Sequence, residues 1–154
     1  MKRLHVNIKV EDLQKSVSFY SALFASPPTV KKEDYAKWML DDPLVNFSIS
    51  DAKGMPAGIE HLGIQAESEA ELQDLYSRVD SAEGKLRNEG DTVCCYAKST
   101  KGWIKDPQKV EWEMFYTYGE SDTFYAEGEE SNCCQPASNS VGEAESVSAG
   151  NSCC

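Results

Sequence analysis

"WMLDDPLVNFSI", residues 38–49, returns 65 positions later as "WIKDPQKVEWEM", residues 103–114. Without a gap, Trp38 coincides with Trp103, Asp41 with Asp106, Val45 with Val110 and Phe47 with Trp112. Each copy reads as strand, Asp-Pro turn, strand, because alternating apolar residues flank a turn dipeptide. Upstream, the halves match again at an offset of 56, which pairs His5 with His61 and Tyr20 with Tyr76. "LHVNIKV" (4–10) and "EHLGIQA" (60–66) alternate as strands. After the first, Asp12 is placed to cap a helix with Leu13, Val17, Tyr20 and Phe24 on one face. After the second, "SEAE" (68–71) forms a capping box that opens a helix through Leu72, Leu75, Tyr76 and Val79.

The repeat predicts an α+β fold of two paired βαβββ modules, about residues 1–55 and 56–118. Helices cover one sheet face and a cleft opens on the other. The two offsets differ by 9 residues (65 less 56), and the difference falls around "EGDTVCCYAKSTKGWIKDP" (89–107). That stretch reads as an insertion, and insertions into paired modules tend to carry function. Gly90 and "STKG" (99–102) are read there as the small and polar residues of a movable loop.

Of the 154 residues, 15 are Lys or Arg and 26 are Asp or Glu, a net charge of -11. Such a charge repels phosphate backbones and anionic lipid, so no nucleic-acid or membrane partner is expected. No apolar run approaches the length of a signal peptide or a membrane span, which leads to the expectation of a soluble, cytoplasmic protein. From Gly119 to the end the chain carries 7 acidic and no basic residues, 7 Ser and 4 Gly. Residues 119–154 are therefore read as an acidic tail, disordered beyond about residue 126.

All six cysteines stand in adjacent pairs: Cys94-Cys95, Cys133-Cys134 and Cys153-Cys154. Neighbouring residues rarely satisfy disulfide geometry with each other, and a reducing compartment disfavours bridges. Two neighbouring thiolates can instead grip one soft ion, which points to metal or metalloid binding or to redox chemistry.

The chain has two histidines, and both hold the same repeat position. Pseudo-twofold pairing would bring His5 and His61 to equivalent places in the cleft. The offset of 65 pairs Ser48 with Glu113, a carboxylate set among Trp112, Met114 and Phe115 that needs a cation if it points inward. The neighbouring carboxylate, Glu111, is assigned to the opposite face. Two imidazoles and one carboxylate form the facial triad of non-haem Fe(II) oxygenases, and zinc or manganese suits similar ligands. Tyr35, Tyr96 and Trp103 are candidates for the cavity wall, though aromatic residues in small domains are more often core. Asp41 and Asp106, in matching turns, read as structural.

With "VEDLQKSVSFYSALFASPPT", "DYAKWMLDDPLVNFSIS", "GIEHLGIQ", "DTVCCYAKS" and "WIKDPQKVEWEMFYTYG" in hand, residues 1–118 resemble the vicinal oxygen chelate superfamily. Within it they resemble the carbon–arsenic lyases that act on trivalent organoarsenicals, a group that includes cadmium-induced proteins. The resemblance implies Fe(II) on His5, His61 and Glu113, dioxygen as co-substrate, and arsenic captured by Cys94 and Cys95. It implies conversion of methylarsenite to inorganic arsenite by a monomer or homodimer. Ser48 stands where the superfamily's fuller pattern has a fourth ligand. Ala25 replaces a usual glycine, a change expected to be harmless. Cys133, Cys134, Cys153 and Cys154 lie outside the resemblance and are candidates for accessory metalloid binding. A ring-cleaving dioxygenase is the competing enzyme, and it leaves the cysteine pair without work. A non-enzymatic cadmium- or arsenite-binding resistance protein is the other competitor, and it leaves the histidines idle.

Overall fold

Alternation in "RLHVNIKV" makes β1 (Arg3–Val10), which buries Val10 on one face and His5 and Asn7 on the other. The computed structural model describes residues 1–81 and 84–124. The expected disorder of the tail, together with Cys133, Cys134, Cys153 and Cys154, falls outside those residues.

Asp12 accepts the Lys15 amide at 2.9 Å and starts α1 (Leu13–Leu23), a cap worth about 1 kcal/mol. Leu13 and Val17 face a core built with Trp38, Phe47 and Ile49, and Tyr20 and Phe24 pack against its rings. There follow β2 (Val30–Lys31), β3 (Tyr35–Asp41) and β4 (Leu44–Asp51). The second half repeats the order with β5 (Gly58–Ala66), α2 (Glu69–Ser81), β6 (Arg87–Cys94), β7 (Ala97–Lys105) and β8 (Glu111–Glu120). Ser68 Oγ accepts the Glu71 amide as the capping box requires, while the Glu71 carboxylate accepts the amide of Glu67, one residue before the cap. Leu72, Leu75, Tyr76 and Val79 bury a second core with Ala66 and Met114.

The eight strands form one sheet in the order β2-β3-β4-β1-β5-β8-β7-β6. Its centre is the antiparallel pair β1–β5, with β4 parallel to β1 and β8 parallel to β5. The helices cover one face, and polar residues fill the other. No helix among the described residues is long and apolar enough to cross a membrane.

Four local readings change. The gapless offset of 65 holds for β4 and β8 but not for β3 and β7. Trp38 stands opposite Phe47, whereas Trp103 stands opposite Glu113, because the turn from Lys105 to Glu111 is one residue longer than a gapless repeat of the turn from Asp41 to Leu44. A slip of one residue reverses the face, so Trp38 enters the helix-side core and Trp103 turns into the cleft.

"STKG" is not a movable loop. Ser99–Gly102 belong to β7 and pair with both β6 and β8. Its polar residues mark a cleft wall. Ala25 has φ 51, the left-handed region where a Cβ costs about 1 kcal/mol or more. The loss of the usual glycine is therefore strained rather than harmless. Finally, β8 runs to Glu120, past the boundary drawn at 118. Residues 121–124 then fold back, with the Ser121 amide on Tyr96 O and Phe124 O accepting the Cys95 amide.

Candidate metal and thiol site

Three strands deliver the candidate ligands. His5 on β1 stands opposite Gly63 on β5, which stands opposite Glu113 on β8. His61 lies two residues before Gly63 and so shares its face. A Cβ on Gly63 would meet Glu113 O at 2.5 Å, so glycine is what lets β8 approach this closely. One ligand atom from each of His5, His61 and Glu113 lies within 4.8 Å of the others. The two Nε2 atoms are 3.2 Å apart, and Glu113 Oε2 is 3.6 Å from each. All three side chains are buried.

Neighbouring groups set their charge states. Burial lowers His5 to about 4, with His61 adding to the effect and Glu113 opposing it, so the imidazole is neutral at physiological pH. Its Nδ1 lies 3.0 Å from Asn46 O. With Nδ1–H donating there, the Nε2 lone pair turns toward the cluster. The ring of His61 is held edge-on by Trp103 at 5.1 Å between centroids. Burial alone would raise Glu113, but Lys101 first, then the two histidines, bring it down to about 2. Lys101 Nζ sits 3.0 Å from Glu113 Oε1, both side chains nearly inaccessible.

This donor set fits a divalent cation. Two imidazole nitrogens and one carboxylate oxygen converge in a buried space, a nitrogen and oxygen set suited to a borderline divalent ion. Asn7 Oδ1 and Asn46 Oδ1 are buried with no hydrogen-bond partner among the described residues, and both side chains line the same cavity. They are acceptors available to a bound water or small ligand.

Cys94 and Cys95 line that cavity too, which holds ≈ 40 Å³. By volume this is room for a few water-sized groups. Adjacent strand residues point to opposite faces, yet the two Sγ atoms are 3.3 Å apart. The hairpin explains it. Cys94 ends β6, and Cys95 and Tyr96 form a two-residue turn with φ 56 and 62, the type I′ pattern. Neither is Gly or Asn, so the turn carries strain of order 1 kcal/mol or more per residue. Tyr96 is held by a hydrogen bond to Asp34 at 2.8 Å and by ring contacts with Tyr35 and Phe124.

Glu111 requires a correction. It is two residues from Glu113 and so shares its face; it stays out of the cluster because it faces Lys105 across the ladder, with Nζ to Oε1 of 3.1 Å. Ser48, Glu113's counterpart in the first half, is buried and lines the cavity opposite Asn7, offering a hydroxyl where a carboxylate would ligate. Sequence reasoning missed Asn7, Asn46, Lys37 and Lys101 as cavity residues. For Asn7 the signal was available as period-two spacing from His5, whereas Lys101 and Ser99 follow only once β7 is known to turn Trp103 into the cleft.

The family profile described as Glyoxalase/Bleomycin resistance protein/Dioxygenase superfamily matches residues 2–114. A "Trivalent organoarsenical cleaving enzyme" of Bacillus sp. (strain MD1) is 42% identical over 123 residues, 76% of this chain and 74% of that one. A "Probable trivalent organoarsenical cleaving enzyme" of Bacillus subtilis (strain 168) is 37% identical over 135 residues, 87% of this chain and 91% of that one. Among solved structures, homoprotocatechuate 2,3-dioxygenase from Arthrobacter globiformis superposes with a TM-score of 0.55 at 18% identity, over 78% of this chain and 37% of that one. At that identity the likeness concerns the fold.

Proposed function

Because the chain belongs to the glyoxalase/bleomycin resistance protein/dioxygenase superfamily, we propose that it cleaves the carbon–arsenic bond of trivalent organoarsenicals such as methylarsenite and releases inorganic arsenite. His5, His61 and Glu113 would hold Fe(II), and dioxygen would be the co-substrate. The observation that carries this reading is the sharing of one small cavity by a His/His/Glu cluster and a vicinal thiol pair. The names of the relatives from the two Bacillus strains support the same substrate class.

Ligand hardness divides the work. Trivalent arsenic is soft and suits thiolate, whereas iron suits imidazole and carboxylate. A monomethyl arsenical has two exchangeable positions besides its carbon. Sulfurs held 3.3 Å apart can take both and leave the carbon–arsenic bond turned into the cavity. Fe(II), when bound, supplies the activation of dioxygen. Lys101 keeps Glu113 ionised, Asn46 O fixes the His5 ring, Trp103 holds the His61 ring, and the buried walls exclude water. A ring-cleaving dioxygenase would need the same three ligands and would give the thiols no task.

Aerobic incubation of the Fe(II)-loaded protein with methylarsenite, with arsenic speciation of the products, tests the reading. Inorganic arsenite is expected, and its formation should stop in His61→Ala. Unchanged methylarsenite, or equal conversion by the variant, would refute it.

A further inference from the structure

Glu60 and His61 are neighbours on β5, and regular alternation would send their side chains to opposite faces. The ladder between β1 and β5 is irregular at this point. Asn7 stands opposite His61 and Ile8 opposite Ile59, which makes Glu60 the extra residue of a bulge. Such a bulge bends the strand and re-aims a side chain. Here it lets Glu60 reach the cleft side beside His61, where it meets Asn7 and Lys9, residues that alternate from His5 along β1.

Lys9 Nζ lies 2.5 Å from Glu60 Oε1, with 12% and 10% of the two side chains exposed. Asn7 Nδ2 donates to Glu60 Oε2 at 2.9 Å, which turns the Asn7 carbonyl oxygen away from Glu60. The same Oε2 lies 3.8 Å from His61 Nδ1, ion-pair distance rather than a hydrogen bond. On the other side of the ring, His61 Nε2 faces His5 Nε2 and Glu113 Oε2. The imidazole therefore stands between a carboxylate at Nδ1 and the ligand cluster at Nε2. His5 is placed the same way but with a neutral group behind it, since its Nδ1 lies 3.0 Å from Asn46 O. At the position matching Glu60 the first half has Leu4, which is exposed. The repeat thus matches the ligands and not the groups behind them.

We propose that Glu60 is a positioning residue of the metal centre, whose carboxylate holds the Nδ1 side of His61 so that Nε2 meets the ion as the stronger donor of the two imidazoles. This rests on the metal-binding part of the reading above and not on the substrate. A metal at Nε2 draws electron density from the ring and makes the Nδ1 proton a better donor, which pulls it toward the nearest anion. A carboxylate there returns negative charge to the ligand, and the gain is larger for a trivalent ion than for a divalent one. Lys9 balances the carboxylate, so that its burial is tolerated.

The test uses the full chain loaded anaerobically with Fe(II), without any arsenical. Glu60→Gln keeps the shape and removes the charge, but it leaves the Lys9 ammonium without its carboxylate. Lys9→Met/Glu60→Leu removes both charges and keeps the measurement available if the first variant does not fold. In each, the Fe(II) dissociation constant should rise about ten- to a hundredfold, as for other groups behind a ligating histidine. Fe(III) should lose a further tenfold, which raises the one-electron midpoint potential by about 59 mV. A purely structural role would weaken binding of both oxidation states alike and leave the potential where it was. An unchanged or lowered potential would therefore overturn the proposal, as would parental Fe(II) affinity in a folded variant. Failure of the parent to bind Fe(II) would overturn this inference together with the metal site. Conversion of methylarsenite is not involved, so the two readings fail separately.

Discussion

At the scale of single residues, Lys101 is the side chain on which the metal-free centre most depends. Its ammonium is the strongest influence holding the buried Glu113 carboxylate ionised. Removing one partner of such a pair costs about 3 kcal/mol. Urea unfolding of metal-free Lys101→Met should register that loss, and the metal-induced gain in stability should be larger than in the parent. A loss under about 1 kcal/mol would mean that Glu113 does not rely on this ammonium. Ala25 offers the opposite sign. With φ at 51, Ala25→Gly relieves the left-handed strain and should stabilise by about 0.5–1 kcal/mol, read as a shift in urea midpoint without a change in slope. His5, His61 and Glu113 were legible in the sequence as a coincidence of repeat positions. Lys101 was not, because its role depends on which way β7 faces, and that parity hangs on one residue in the turn after Lys105.

At the scale of elements, the central strands are spaced by the absence of a side chain. Gly63 lies between His5 and Glu113 in the ladder, and a methyl there meets the backbone of Glu113. Gly63→Ala must displace β8, so metal affinity should fall at least a hundredfold and stability by about 2–3 kcal/mol. Retention of parental affinity by isothermal titration would show that β8 yields without moving the carboxylate. The hairpin of β6 and β7 teaches the same lesson about legibility. Its two-residue turn is a common form, but Cys95 and Tyr96 lack the Gly or Asn that announces it. The sequence showed an insertion rich in chemistry; it could not show that both sulfurs would point the same way.

At the scale of the whole molecule, the two modules keep separate cores and meet along β1 and β5. His5 comes from one half, and His61 and Glu113 come from the other. All three converge within a single chain. A bound cation therefore ties the halves together. At a hundredfold excess over its dissociation constant it should add about 2.7 kcal/mol, or about 10 °C in melting temperature for a domain of this size. Chelation should reverse the gain, and a melting curve indifferent to both would contradict a site that bridges the seam. The repeat made this architecture readable, since near-symmetric halves announce a shared axis. Yet the symmetry is incomplete at Ser48, and that gap has its own outcome. A fourth oxygen donor there would take up one more coordination position: Ser48→Glu should grip the ion more tightly and, on the proposed reading, slow turnover by leaving less room for oxygen and substrate. The chemistry would then owe its opening to the vacancy that a short hydroxyl leaves in the mirror image.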